Sequence, residues 1–511
     1  MRDMLGPEAG DPPPSTKATR REWIGLLVLA LPCLVYAMDL TILHLAVPAI
    51  AEELKPSSSA LLWIVDIYGF MVAGALVTMG SLGDRIGRRR MLMIGALAFA
   101  VTSVLAAIST SSETLIAARA VQGLAGATLA PSTLSLIRHM FHDDRERATA
   151  IGFWVASFSV GAALGPLFGG LILSSFHWGA VFLVNVPVMA LLIAVGPILL
   201  PEFRDPDAER IDVVSVLQSL AAVLLIVYAV KRVAEAGVTA PAVVAIVLGL
   251  GAGWVFIMRQ RRLADPLIDM KLLTAPMLAA ALAFNLLDVF VVAGAFLLIA
   301  QYFQLVLGMA PLEAGLWTAP AGITFALGSV ASSWLNRYFS ARLIIASGFM
   351  IAAVGFLFLT QLSGATSPLL LTVGMVIFSA GLAPVGPITT DVVLSEAPPE
   401  RAGAASAVSE MSFELGGAFG IAILGSIVTA IYRDGLGDAG LLRDYSEAVI
   451  EASKETLGGA LAAAQELAPA ASQRLVEAAR ASFIAGFEAA SFAAAALCLA
   501  SAGLAATVLR R

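Results

Sequence analysis

Charge is what this chain of 511 residues lacks. Asp, Glu, Lys and Arg make up only 13% of it, about half the share that an ordinary soluble domain carries, and a soluble globular fold of this length is thereby excluded. Cysteine is almost absent as well: Cys33 and Cys498 are the two present, and both fall inside apolar runs. That excludes a disulfide scaffold. The four histidines, His44, His139, His142 and His177, show no ligand spacing, so no metal centre is expected. Neither a phosphate-binding loop nor a nucleophile in a catalytic setting stands out, which argues against an enzyme, a cofactor, a nucleic-acid partner and an ATP-driven pump.

What the chain has is apolar length. Hydrophobic residues make up 59% of it and the mean hydropathy is +0.89. Runs of about 20 residues, enough to cross a hydrocarbon core, recur almost throughout. Fourteen spans are expected: 23–48, 60–80, 91–110, 114–137, 149–173, 178–200, 212–230, 239–258, 276–305, 311–334, 343–361, 367–394, 402–431 and 482–508. If the first span enters from the cytoplasm, the inner segments hold twenty-two of the thirty-one basic residues, and this excess places both termini inside. Residues 1–22 are polar, with three prolines in a row from Pro12 to Pro14, and read as a disordered tail. No cleavable leader is evident, and the first span is expected to act as an uncleaved insertion signal.

A few charges within the apolar runs are out of place. Asp39 lies sixteen residues into a run that starts at Trp23 and holds no other charge, about 24 Å along a helix. An ionisable group at such depth is costly and is by default a functional candidate. Asp66 in the second span and Arg119 in the fourth each lie a turn or two below the outer end. An Arg facing a carboxylate favours its ionised form and its withdrawal favours the protonated one, so these groups form either a proton switch or a permanent structural pair. Glu410 and Glu414 stand at i and i+4 in the thirteenth span and face the same way. No basic residue lies in a neighbouring span, which leaves them protonated, hydrated or facing a cation. Asp288 in the ninth span is a further acid with no evident partner, and Asp391 and Glu396 near the inner end of the twelfth read as surface or gate charges. Near the acids, Tyr36, Trp63, Tyr68, Trp154, Phe284, Phe290 and Phe413 offer ring faces to a lipophilic cation. Core packing or a membrane-surface belt accounts for such rings equally well.

Three segments carry ordered motifs. In "GSLGDRIGRRRML", Gly80 to Leu92, the glycines Gly80, Gly83 and Gly87 surround a charge clasp of Asp84, Arg85 and Arg88 and allow a tight turn. "LIAARAVQGLAGA", Leu115 to Ala127, carries Arg119 and Gln122. In "GAALGPLFGG", Gly161 to Gly170, Gly161, Gly165, Gly169 and Gly170 clear a helix face, and Pro166 weakens the helix. In this order and spacing the segments resemble the loop, helix 4 and antiporter motifs of the major facilitator superfamily. "LHLAVP" (Leu43 to Pro48), "WIVDIY" (Trp63 to Tyr68) and "AVSEMSFELGGAFGIAILGSI" (Ala407 to Ile427) add a resemblance to its fourteen-helix drug:proton antiporters, of the QacA/SmvA quaternary-ammonium and antiseptic exporter type.

The resemblance implies an all-α polytopic membrane protein with the major facilitator fold and fourteen transmembrane helices in a 6+2+6 arrangement. Its parts would be the tail 1–22, a six-helix bundle 23–200, inserted helices 7 and 8 with their linkers 201–275, helices 9 to 13 in 276–432, an extracellular amphipathic hairpin 433–480, and helix 14 with a short cytoplasmic end 481–511. Within the hairpin, helices are expected from about Tyr445 to Glu466 and from Ser472 onward, broken at Pro469. The implied activity is proton-coupled export of lipophilic cations across the cytoplasmic membrane by alternating access, driven by the proton gradient, in a monomer. Proton coupling and cation binding are expected of Asp39, Asp66, Arg119 and Asp288 from their positions in the spans, and of Glu410 and Glu414 also because the resemblance has acids at those positions. Two other readings stay open: an exporter of an endogenous metabolite, antibiotic or lipid on the same fold, and a non-transporting membrane scaffold or sensor.

Overall fold

The computed structural model describes residues 17–54, 56, 58–204, 212–236, 238–263, 266, 275–361, 367–398, 402–438 and 445–508. Most of the expected tail lies outside the described residues, as do the side chains of Asp66 and Pro166. Among the described residues there is helix and no strand. The helices are α1 (Arg20–Leu54), α2 (Ser58–Ile86), α3 (Arg88–Ala107), α4 (Ser112–Gly126), α5 (Leu129–Met140), α6 (Asp144–Leu173), α7 (Ala180–Leu183), α8 (Asn185–Leu199), α9 (Val213–Ala236) and α10 (Ala240–Gln260). They continue with α11 (Pro276–Gln301), α12 (Pro311–Tyr338), α13 (Ala341–Leu359), α14 (Pro368–Leu382), α15 (Val385–Glu396), α16 (Ala402–Asp438), α17 (Glu447–Glu455), α18 (Leu457–Ala464) and α19 (Pro469–Val508).

All fourteen expected segments fall on helix, three of them as broken pairs: α4 with α5, α7 with α8, and α14 with α15. The last break falls at Ala383 and Pro384, where proline supplies no N–H to continue the ladder. Among the described residues, eleven helical stretches are long and apolar enough to cross a membrane, or twelve if Ile67–Leu76 and Thr78–Ile86 count as one. The molecule is a multi-span membrane protein, and its surface agrees: Leu171, Ile198, Trp254 and Phe492 are exposed while Asp39, Arg119 and Gln122 are buried. Hydrocarbon satisfies no polar group, so the polar residues have turned inward.

The apolar core forms in separate blocks. One is built from α11 to α16 with α18 and α19, around Phe284, Phe349, Phe378 and Phe487; two others come from α1 to α8, around Leu29, Phe99 and Leu134 and around Ile64, Trp178 and Phe182. The α9–α10 pair packs on the outside of α2 and α16, pinned by Arg259 Nε donating to Asp212 at 2.5 Å.

Two helix pairs repeat one contact. A side chain at Gly161 of α6 would strike the backbone carbonyl of Leu34 of α1, and one at Gly165 would strike the Thr41 hydroxyl and press on the carbonyl of Met38 at 3.1 Å; one at Gly416 or Gly420 of α16 would strike the carbonyl of Leu286 or Phe290 of α11. Glycine is what lets each pair close to backbone contact. The equal spacing of the four contacts makes α11 the counterpart of α1 and α16 the counterpart of α6.

The segment after α16 departs from expectation. The first expected hairpin helix is divided at Thr456, whose hydroxyl caps α18 by accepting from Gly459 N–H at 3.0 Å. The expected break is present, between Ala464 and Pro469, and Pro469 is the first residue of α19; a helix start needs no N–H there. The second expected hairpin helix is therefore the beginning of the last long helix. α18 buries Leu457, Ala460 and Ala464, Tyr432 Oη donates to Ser453 O at 2.8 Å, and Arg480 Nε donates to Leu305 O at 3.1 Å, so this cap is packed onto the bundle.

The glycine contacts can be tested by stability. Gly161→Val is expected to destabilise the purified protein by about 1–3 kcal/mol through overpacking, whereas Gly170→Val, which has nothing within 4 Å of a new side chain, should shift it by less than about 0.5 kcal/mol. Thermal unfolding in detergent, read by size-exclusion chromatography, makes the comparison; equal melting temperatures would refute the close contact.

Candidate functional site

The charge that opened the question has a partner. Asp39 on α1 accepts from Arg119 Nη1 of α4 at 2.5 Å, and the two residues are 1% and 0% exposed. A bare ion pair in a dry interior does not repay its desolvation; the remaining lone pairs must be satisfied too. Here Asp39 Oδ1 accepts from Asn185 Nδ2 of α8 at 2.8 Å and from Gln122 Nε2 at 3.3 Å. Ser103 of α3 accepts from both amides, at 3.2 and 3.1 Å. The Arg119 guanidinium is flanked by the rings of Tyr68 and Phe182, at 4.5 and 5.6 Å from their centroids. Asn185 and Ser103 were not singled out from sequence; Asn185 lies in an apolar run, and one amide among "VFLVNVP" was the available signal.

A second cluster sits where the halves meet. Tyr36, three residues before Asp39 on α1, donates its hydroxyl to Glu414 Oε1 of α16 at 2.7 Å. Its ring lies against Tyr68 at 5.9 Å and against Phe158 at 5.8 Å, and Phe158 lies against Trp154 at 4.8 Å. Trp154 is fixed by its Nε1 donating to Thr133 Oγ1 at 2.9 Å. Three of the expected aromatics thus gather around one acid, joined by Phe158, which sequence reasoning missed. Glu410, one turn earlier on α16, is buried, and among the described residues its Oε1 has no hydrogen-bond partner.

The internal repeat explains where Asp288 stands. Placing Leu34 on Leu286 and Gly161 on Gly416 puts Tyr36 on Asp288 and Phe158 on Phe413. A methyl group on Gly386 would touch both Asp288 Oδ2, at 3.4 Å, and the Phe413 ring, at 3.8 Å, so the second half also sets its α11 residue beside its α16 ring. The polar contacts beneath repeat as well: Cys33, Thr133 and Trp154 in one half correspond to Asn285, Thr389 and Ser409 in the other, linked by Asn285 Nδ2 donating to Ser409 Oγ at 2.9 Å and by Thr389 donating to Asn285 Oδ1. Asp288 is 2% exposed, and its Oδ1 has no hydrogen-bond partner. Among the described residues neither Asp288 nor Glu410 forms an ion pair.

Other expected site residues lie elsewhere. Phe284 pairs with Phe349 at 5.9 Å in the apolar core, Phe290 packs in the same block, and Trp63 is half exposed beside Phe70. At the arginine-rich end of the bundle, Arg88 Nε donates to Asp84 Oδ1 at 2.7 Å, with Gly80, Gly83 and Asp84 buried and Arg85 half-buried. Gly87 has a φ of +113°, a conformation that favours glycine, and lies against the carboxylate of Glu202, which accepts from Arg89 N–H at 3.1 Å. The halves are latched at this end: Arg147 Nε of α6 donates to Asp391 Oδ1 of α15 at 3.0 Å and Arg138 Nη2 donates to Ala397 O at 2.6 Å. Of the two acids near that end, Asp391 is the one that bonds across the halves.

The family model of the Major Facilitator Superfamily matches residues 29–421. Among curated proteins, the multidrug efflux pump LfrA of Mycolicibacterium smegmatis is 41% identical over 500 residues, covering 98% of each chain. The methyl viologen resistance protein SmvA of Salmonella typhimurium is 33% identical, covering 91% of this chain and 93% of its own, and the tetracenomycin C resistance and export protein of Streptomyces glaucescens is 30% identical, covering 96% and 92%. Among solved structures, a double-tryptophan mutant of XylE superposes with a TM-score of 0.63 at 15% identity, covering 96% of each chain.

Removing one member of the buried pair should cost far more than removing both. Asp39→Asn or Arg119→Gln alone is expected to destabilise the protein by about 3–5 kcal/mol, because the survivor stays buried and uncompensated, while the double variant should regain a large part of that loss. Unfolding midpoints of the four proteins close the cycle; additive losses would show that the pair does not hold the bundle.

Proposed function

Since the chain belongs to the major facilitator superfamily and is a transporter rather than an enzyme, we propose that it exports drugs, specifically lipophilic and quaternary ammonium cations, in exchange for protons. The observation that carries the reading is the bond of Tyr36 to Glu414, one turn from Glu410 on α16, within a run of touching rings formed by Tyr36, Tyr68, Phe158 and Trp154. A cation without N–H donors is held by charge and by aromatic faces, and this cluster supplies both. The names of its relatives, a multidrug efflux pump and a methyl viologen resistance protein, support the same cargo class.

In this reading fourteen helices span the cytoplasmic membrane, both termini and the arginine-rich end face the cytoplasm, and the latch of Arg147 on Asp391 closes the inner side. Protons arriving from outside neutralise an acid of α1, α2 or α16 and weaken its hold on the cation; their loss to the cytoplasm restores it. One proton against one monovalent cation moves no net charge, so the pH gradient alone drives it, at about 1.4 kcal/mol per unit. Each further proton adds about 2.3 kcal/mol per 100 mV. A second reading, export of an antibiotic made by the cell itself, draws on the likeness to the tetracenomycin C export protein.

The test is proton release from purified protein in weak buffer on addition of ethidium, for the wild type and for Asp39→Asn, Asp66→Asn, Glu410→Gln and Glu414→Gln. The wild type should release protons as the dye binds, and at least one variant should bind dye without release. Dye binding without proton release by the wild type would remove the coupling, and no binding at all would remove the cargo class.

A further inference from the structure

Two features of the site lie next to each other without belonging to each other: the closed ion pair of the first half and the acids of the second. Between them stand two tyrosine rings. Tyr36 holds Glu414 through its hydroxyl at 2.7 Å and lies against Tyr68 with centroids 5.9 Å apart. Tyr68 in turn lies over the Arg119 guanidinium at 4.5 Å, and Arg119 holds Asp39 at 2.5 Å. The chain of contact from Glu414 to Asp39 is continuous.

It is also stiff. Tyr68 is fully buried, and a methyl group at Gly126 of α4 would come within 2.9 Å of its hydroxyl. One at Gly123 would come within 2.5 Å of its carbonyl oxygen. Its ring is wedged against the helix that carries Arg119, so it has little room to move without displacing that helix; close-packed interiors transmit such strain. Among the described residues the Tyr68 hydroxyl has no hydrogen-bond partner, which leaves the ring's contacts to set its position.

We propose that Tyr36 is an internal ligand that a cargo cation must displace from Glu414, and that the Tyr36–Tyr68 ring pair links that displacement to the Asp39–Arg119 pair. The inference rests on the cation-exporter reading and adds to it the positioning residues of the coupling. When a cation takes Glu414, the hydroxyl of Tyr36 gives up its acceptor and the ring turns a face to the cation. Tyr68, in contact with that ring, shifts against Arg119, and the hold of Arg119 on Asp39 changes with it. Asn185, Gln122 and Ser103, the other groups at Asp39 and its amides, stay on α8, α4 and α3 and do not touch the tyrosines through any of these bonds. By reciprocity, the protonation state of Asp39 must alter cation affinity by the same factor.

Ethidium binding and proton release on purified full-length protein test this, with Tyr36→Phe, Tyr68→Leu, Asp39→Asn and their combinations. Tyr36→Phe keeps the ring and removes the competitor; it should tighten ethidium binding about tenfold, as loss of a hydrogen bond to a charged acceptor predicts, and lower the protons released per dye. Combining it with Glu414→Gln should erase the tightening. In the wild-type background Asp39→Asn should shift the ethidium dissociation constant by about fivefold or more, and in the Tyr68→Leu background by less than twofold. Coupling is established by that non-additivity and not by adjacency. An equal effect of Asp39→Asn in both backgrounds, or unchanged affinity and proton release in Tyr36→Phe, overturns the link while leaving the exporter reading in place. Failure of the wild type to bind dye or release protons overturns both. Monodisperse elution of each variant is the condition for scoring, and Tyr36→Phe, which changes no packing volume beyond one oxygen, carries the decision if Tyr68→Leu does not fold.

Discussion

A carboxylate and a guanidinium that share almost no solvent set the terms for the rest of this molecule. Asp39 and Arg119 lie on different helices, and such a pair repays its desolvation only with further hydrogen bonds; both carboxylate oxygens have partners, whereas among the described residues Arg119 Nε has none. That requirement recruits Asn185, Gln122 and Ser103, and so draws α1, α3, α4 and α8 to one point. The aromatic flanks of Tyr68 and Phe182 exclude water from the guanidinium. The first half is organised around this point, and its packing has little freedom to rearrange while the pair stands.

The second half has the same skeleton and the opposite chemistry. Its glycine contacts repeat those of α1 and α6, and so does its polar triad of Asn285, Thr389 and Ser409. Yet the position of Asp39 is taken by Val291, and the positions of Glu410 and Glu414 are taken in the first half by Val155 and Ser159. The acids of the two halves are therefore complementary and do not duplicate each other. One half holds a compensated charge and the other holds acids of which Asp288 and Glu410 have an oxygen without a partner.

The latch at the arginine-rich end gives that asymmetry a direction. Arg147 and Arg138 of the first half reach Asp391, Ser395 and Ala397 of the second, and the glycine at Gly152 lets α6 lie directly on the backbone of Ser329 in α12. The side-chain contacts among these are polar, but they are only part of the junction: α6 also packs closely on α12, and α2 and α5 pack on α16. The glycine contact of α6 with Ser329 is backbone to backbone, like those within each half.

Much of this was legible in the chain. Low charge and long apolar runs required a helical membrane protein, because hydrocarbon tolerates no unpaired backbone; the order of the loop, helix 4 and helix 5 motifs gave the family; and charges at forbidden depths named Asp39, Arg119, Glu410, Glu414 and Asp288. Two things were not legible. Pro469 marked a break, but nothing in the sequence showed that the helix it opens runs on without interruption into the last span. Asn185, Ser103 and Phe158 read as ordinary residues of apolar runs, since a lone amide, hydroxyl or ring carries no signal until a partner from a distant span is placed beside it. The sequence by itself determined which groups the membrane would force inward, since the cost of burying charge acts on each residue alone. Which acid is compensated by Arg119, and which reaches across to Tyr36, was decided by the tertiary structure, because pairing depends on helices eighty and nearly four hundred residues apart meeting at one depth and facing one another.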